Sequence, residues 1–251
     1  MTVNFTTWKG ITDGQTYSIP DSVVAQDKLF AYWGMSEGAG TTVEELVNDH
    51  TGTIQGDISW VSNNWHEEYA LDSPGDSGDH VETTPWGDFG SNMGTDYAIA
   101  LTVKTTDGSN KFFGGNTTDT MTLTMGTQGF GSTSDDNVSV LVSDDNGDLI
   151  IIENDNDVND DNEYRVVFNK ISNSASDWEI WTNGTEDNVT VERDEGLSSF
   201  VNFTEPFSLF AQNDDGSTDR PIDAIMDNFT VYEDSLTSQE IEDDYNNQPW
   251  S

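Results

Sequence analysis

Glu153, Asp155 and Asp157 stand at alternate positions of "IIENDNDVNDD", where residue type and spacing come nearest to catalytic chemistry in this chain. If a strand ran through them, three carboxylates would share one of its faces. Two carboxyl groups about 5 Å apart are what retaining glycoside hydrolysis needs, one as nucleophile and one as acid. The run ends in turn-forming Asn and Asp, however, and its composition equally suits a solvated loop. Nucleophilic chemistry has less to work with: Cys is absent, and His50, His66 and His80 lie in loop-like stretches with no nucleophile motif beside them. "DNDVND" at 155–160 lacks the Gly at position six and the Glu at position twelve of an EF-hand loop. The expectation is a protein without enzymatic activity.

Modification chemistry is better represented. Seven Asn-x-Ser/Thr triplets begin at Asn4, Asn116, Asn137, Asn183, Asn188, Asn202 and Asn228. Each is an acceptor pattern for N-glycosylation, although a chain rich in Asn, Ser and Thr also generates such triplets by chance. Use of any of them implies a protein that faces the outside.

With 251 residues, eight Trp, twelve Phe and 33% hydrophobic content, the chain can fill a sizeable core. Its charge is the anomaly: 48 Asp and Glu face 8 Lys and Arg, for a formal net charge of -40. In ordinary salt that imbalance favours disorder or self-repulsion. Brine removes the conflict, because at 1 M salt the Debye length is roughly 3 Å and crowded carboxylates hardly feel one another. The acidity is spread along the chain and forms no tail, which predicts a protein of an extreme halophile or of a virus that infects one. Eight scattered basic residues cannot form a phosphate-neutralising patch, so a nucleic-acid partner is excluded. No apolar segment reaches the roughly 18 residues of a membrane span, and the first twenty residues lack the basic start and apolar run of a secretion signal.

The elements that must position these groups read as strands. Residues 1–27 have weak periodicity and are expected to form an arm; 28–251 form one domain. Short alternating runs at 53–60, 97–105, 121–126, 138–143, 149–153, 164–170, 178–182, 188–192, 207–211 and 225–232 are separated by Gly, Asn, Asp and Ser clusters. That spacing belongs to an antiparallel sandwich. "DDNGD" at 144–148 carries the Asn-Gly pair of a type I′ hairpin. "DSLTSQEIEDDYNN" offers a Ser or Thr cap before Gln239 and Glu240, then Ile241 and Tyr245 four apart, which predicts one short helix near the C-terminus.

"YRVVFNKISNSASDWEIWTNGT", residues 164–185, resembles the central hairpin of laminin-G-like domains in the concanavalin A-like jelly-roll superfamily. "LFAYWGMSEGAGTTVEELVNDHTGTIQG" is similar to the family's opening, with Trp33, Glu37, Gly38, Gly40, Asp49, Thr51 and Gly52 in matching places. "YALDSPGDSGDHVETT", "YAIALTVKTT" and "AIMDNFTVYEDSLTSQEI" resemble its later strands in the right order. The match runs from residue 29 to about 245, with Ala224 where the family favours Gly and Trp181 where it favours Tyr. The fold implied is an all-β antiparallel jelly-roll sandwich with one short C-terminal helix.

The resemblance also implies sites. Members often hold one calcium ion through carboxylate and carbonyl oxygens, and the matching positions here are Asp49 and Asp227, with Glu37 a third candidate. Hydrolases of the superfamily carry E-x-D-x-x-E, which the run at Glu153 approaches without its third Glu. Glycan binding needs aromatic faces at a rim, and Trp86, Phe89, Phe112, Phe113 and Phe130 are the candidates in loop-like stretches; Trp33, Trp178 and Trp181 are assigned to the core. The expectation is a glycan-recognition module, used as a virion turret, spike or tail fibre that touches host surface glycans or an S-layer glycoprotein. The arm would dock it to other virion proteins, as a homo-oligomer. A structural decoration, a secreted haloarchaeal glycan-binding protein and an endoglycanase are the alternatives.

Overall fold

Alternation along "YAIALTVKT" and "YRVVFNK" sends every second side chain to one side, and this sorts the chain into two sheets with a core between them. The computed structural model describes residues 19–62, 68–86, 96–117, 120–127, 136–144, 146–197, 206–214 and 217–247. The chain opens with β1 (Leu29–Trp33), β2 (Thr42–Val43), β3 (Gly52–Gln55), β4 (Ser59–Ser62), β5 (Tyr69–Pro74) and β6 (His80–Thr83). β7 (Tyr97–Thr105), β8 (Lys111–Thr117), β9 (Thr120–Gly126), β10 (Asn137–Ser143), β11 (Leu149–Asp157) and β12 (Glu163–Lys170) follow. β13 (Trp178–Thr182), β14 (Thr185–Glu186), β15 (Val189–Asp194), β16 (Ser208–Leu209), β17 (Gln212–Asp214), β18 (Ser217–Asp219) and β19 (Asp223–Tyr232) precede helix α1 (Ser238–Asn246).

One sheet runs β14-β13-β12-β7-β19-β5-β4, and the other runs β15-β11-β10-β9-β8-β16-β6-β3-β2. All pairings among the described residues are antiparallel, so the molecule is the jelly-roll sandwich expected from the sequence. β19 is the organising strand. It pairs with β7 on one side, and on the other with β5 through Asp223–Met226 and then with β1 from Phe229 to Tyr232. A bulge at Asn228, with φ 53°, separates the two halves.

Ile99, Leu101 and Val103 of β7, Val166 and Phe168 of β12, and Val138, Val140 and Val142 of β10 belong to one buried cluster between the sheets. Ala98 and Ala100 alternate with them to the outer face, where Val167, Trp181 and Tyr232 receive Leu236 and Ile241 of the C-terminal segment. Small alanines leave room for the helix. Thr237 caps it: the Thr237 hydroxyl accepts from Glu240 N–H at 3.2 Å, and the Glu240 carboxylate accepts from Thr237 N–H at 2.7 Å. At the other end of the chain, Val23 is buried with Tyr32 and Leu46, so residues just before β1 lie on the sandwich.

Two local expectations are corrected. The single run at 53–60 is two strands, β3 and β4, which belong to different sheets; Gly56, at φ 73°, turns the chain between them. In "DDNGD", Ser143 pairs with Leu149, so 144–148 make a longer loop than a two-residue turn. Asp144 Oδ1 holds that loop by accepting from Asn146 and Asp148 N–H at 2.9 and 3.1 Å. The two-residue type I′ geometry occurs at Asn183-Gly184, with φ of 53° and 71°, between the paired Thr182 and Thr185.

Glu163 faces Lys104 across β12 and β7, and burial raises its carboxyl from 4.5 to about 7, with Lys104 opposing. A raised folded-state value means stability present below the unfolded pKa and lost as pH climbs through the folded one. Glu163→Gln is uncharged throughout, so relative to the parent it should gain stability as pH rises from about 4.5 to about 8. Urea unfolding at several pH values checks this as a difference. The difference matters because burial lowers Lys111 to about 6, which adds a slope of opposite sign above that pH.

Candidate functional site

Three of the expected stacking aromatics are core residues. Trp86, Phe112 and Phe113 are fully buried, so no sugar reaches them in the folded chain. Trp86 follows Pro85 and precedes Gly87 and reads as a loop residue, yet its ring stacks on Trp33 at 5.4 Å and Phe207 at 4.1 Å. Phe112 and Phe113 lie on β8, where a register shift between Lys111 and Phe113 turns two successive side chains into the core. Phe89 and Phe130 lie outside the described residues.

The three calcium candidates are not brought together. Asp227 is fully buried on β19, opposite Thr102 of β7. Asp49 is exposed at φ 64°, and Glu37 accepts from Glu44 N–H at 2.7 Å. Among the described residues no group of three or more His, Asp or Glu side chains is placed to hold a metal ion. The carboxylate that organises the loop near Asp49 is instead Glu45, itself buried. Glu45 Oε1 accepts from Tyr32 and Val47 N–H at 2.9 and 2.6 Å, and Oε2 from Asn48 and His50 N–H at 2.5 and 3.3 Å. Four backbone donors thus satisfy both oxygens of this buried carboxyl group.

Glu153 is bonded to the neighbouring strand β10. It is buried on β11, accepting from Asn137 Nδ2 at 3.2 Å and Ser139 Oγ at 3.3 Å. β11 does run on through Asp155 and Asp157, but Asn137 pairs with Asp157 and Ser139 with Glu153. Two residues on one strand thus match four on the other. The register of β10 on β11 shifts between Glu153 and Asp157, while on the β15 side Glu153 and Asp155 keep to one face.

The glycosylation asparagines differ in accessibility. Asn228 is buried in the β19 bulge; Asn137 and Asn183 are half-buried; Asn188 is exposed. Asn4 and Asn202 lie outside the described residues, and Asn116 is on β8.

An aromatic pair lies at a sheet edge, with Trp60 packed against the core between the sheets. β4 is the edge strand of its sheet, and it pairs with β5 so that Trp60 faces Leu71 and Ser62 faces Tyr69. Trp60 and Tyr69 are therefore diagonal neighbours on one face, each half-buried. The loop 36–41 fixes both. Trp60 Nε1 donates to Gly40 C=O at 2.9 Å, and Gly38 lies on the Tyr69 ring so closely that a Cβ there would come within 2.6 Å of it. With φ 68°, Gly38 needs to be glycine twice over. Ile54 N–H of the opposite sheet donates to Thr41 C=O at 2.8 Å, which ties the loop to both layers.

The result is an indole and a phenol held, half-buried, by the loop 36–41 at the sheet edge. Ring surface left open at that edge can stack on the apolar face of a sugar ring. The sequence reading missed this pair because it placed Trp60 at the end of one long strand, and only the switch of sheets at Gly56 brings it beside Tyr69.

No protein-family model matches the chain, and no curated protein matches it by sequence. Solved structures do. The binding domain of Paraclostridial Mosquitocidal Protein 1 aligns with a TM-score of 0.62 at 12% identity over 88% of this chain and 52% of its own. The receptor-binding domain of botulinum neurotoxin C/D mosaic serotype gives 0.62 at 12% over 88% and 51%. Domain 4 of a family GH43 extracellular arabinanase from Geobacillus stearothermophilus, solved with arabinotriose, gives 0.58 at 16% over 87% and 98%. The chain spans about half the length of the toxin domains and nearly all of the arabinanase domain. At these identities the likeness is one of fold.

Proposed function

We propose that the chain is a glycan-recognition module that carries no enzymatic activity and works on a surface bathed in concentrated brine. The observation that carries the reading is the Trp60 and Tyr69 pair on the edge hairpin, fixed by Gly38 and Gly40. Support comes from the neighbours: two are named as binding domains, and a third was solved holding an arabinose oligosaccharide. None of those partners is assigned to this chain.

The brine setting rests on where the few cations are. Lys111, Arg165 and Lys170 are all buried, so part of an already small basic complement never reaches the surface. The surface is then almost purely carboxylate, stable where the screening length is a few ångströms. Within that setting the module serves best as an outward-facing attachment part, such as a virion spike, turret or fibre. Its targets would be host surface glycans or an S-layer glycoprotein, with residues 1–27 docking it to neighbouring copies and particle proteins. Calcium would enter as a ligand-ordering ion if recognition requires it.

The test is a glycan array and whole-envelope binding assay at about 3 M salt, where surface repulsion is screened, run with and without a chelator. Saturable binding is the expected result, and its loss on chelation would add the ion. Absence of binding to every surface glycan would overturn recognition in favour of a purely structural decoration.

A further inference from the structure

We propose that Asn188, among the triplets whose side chains the structure describes, is the acceptor at which this chain takes an N-linked oligosaccharide. A transferase that reads Asn-x-Ser/Thr must reach the Asn amide and the hydroxyl two residues later together. The fold decides which triplets allow that. Asn228 and Thr230 are both buried and bonded to each other at 2.8 Å. Asn137 donates to Glu153, and its partner Ser139 is buried on the same carboxylate. Asn183 is half-buried in the type I′ turn, with its Oδ1 accepting from Arg165 N–H at 2.8 Å, so turning the amide outward costs a backbone hydrogen bond.

Asn188 differs in exposure, and its one side-chain bond is at the surface. Both Asn188 and Thr190 are exposed. β15 pairs with β11 so that Thr190 faces Glu153 and Val189 faces Asn154, which places Asn188 across from Asp155; its Nδ2 donates to Asp155 Oδ2 at 2.8 Å. Alternation then sets Asn188 and Thr190 on one face, the outer face of the nine-stranded sheet, while Val189 packs against the core. The preceding residue clamps the chain from inside. Asp187 is buried, accepts from Thr182 Oγ1 at 2.6 Å, from Asn154 Nδ2 at 2.7 Å and from Asn156 Nδ2, and its N–H donates to Ile180 C=O at 2.9 Å. An exposed, same-faced Asn and Thr on a clamped edge strand is a presented acceptor.

In the transfer, Asn188 Nδ2 gives one proton to a base of the transferase and bonds to the anomeric carbon of a lipid-linked oligosaccharide phosphate or diphosphate. The anomeric C–O bond breaks, and the lipid phosphate or diphosphate leaves with the electron pair. The proposal rests on the outward-facing location proposed above, but not on glycan binding at the rim.

The experiment exports the full chain from a glycosylating haloarchaeal strain in which a reporter with one accessible triplet is shown to be modified. Intact-mass and glycopeptide analysis should find Asn188 occupied and Asn228 bare. Asn188→Gln and Thr190→Val should each remove one glycan mass while leaving the unfolding midpoint of the unmodified chain unchanged. Asn188 found bare beside a modified reporter, or Asn228 occupied, overturns the proposal. Rim binding is read separately on chain made in a host that adds no glycans, so either reading can fail while the other stands.

Discussion

Trp86→Ala should cost about 3–5 kcal/mol of stability, one of the two largest losses expected of a single replacement in this chain. The ring stacks between Trp33 and Phe207 and tilts against Phe30 and Phe229, all in the cluster between the sheets. Its removal opens a cavity that strands of both sheets line, and interiors this dense relax only partly into such a hole. Urea unfolding in brine measures the loss. A change of a few tenths of a kcal/mol would place Trp86 at the surface and restore it as a sugar platform.

Asp244→Ala should be comparably severe, at about 3–5 kcal/mol, for an electrostatic reason. Asp244 on α1 and Arg165 on β12 are each 1% exposed, and they meet at 2.7 Å between Nε and Oδ2 and 3.2 Å between Nη2 and Oδ1. Arg165 Nη1 also donates to Asn228 C=O at 3.2 Å, so one guanidinium joins the helix, β12 and the bulge of β19. Burial works against the charged guanidinium, but the Asp244 carboxylate, with Tyr232 and Tyr32 beside it, shifts the balance so that Arg165 holds its proton more tightly than a free guanidinium. Without Asp244, a buried cation faces no carboxylate of its own. The paired replacement Arg165→Met with Asp244→Leu should recover most of the loss, since apolar groups of similar volume often match a buried ion pair. An additive double variant, as destabilised as the sum of the singles, would contradict this reading.

Both features show where sequence reasoning reaches and where it stops. The hairpin of β12 and β13 and the capped helix were legible because their signals are local: alternation, an Asn-Gly turn, a Thr three residues before a Glu. The helix was expected to lay Ile241 and Tyr245 on the sandwich. Ile241 is buried, but its deepest polar companion is Asp244, whose partner sits far back on β12. Trp86 beside Pro85, and "KFFGG" with its paired glycines, carry loop signals, and only long-range packing and a bulge turn them inward. Glu45 looked like one acidic residue among many; its role depends on N–H groups as distant as Tyr32. Trp60 and Tyr69 became neighbours through pairing of β4 with β5, which periodicity within either segment could not reveal.

Recognition through the edge hairpin is tested by comparing Trp60→Ala with the parent chain on the best glycan from the array, by calorimetry at high salt. Trp60 Nε1 holds Gly40, and its half-buried ring supplies stacking area beside Tyr69. Binding should weaken by about 1–2 kcal/mol, roughly 5- to 30-fold in Kd, in a chain shown to be folded at the assay temperature. Unchanged affinity in a folded Trp60→Ala chain would contradict it and move the recognition surface elsewhere on the molecule.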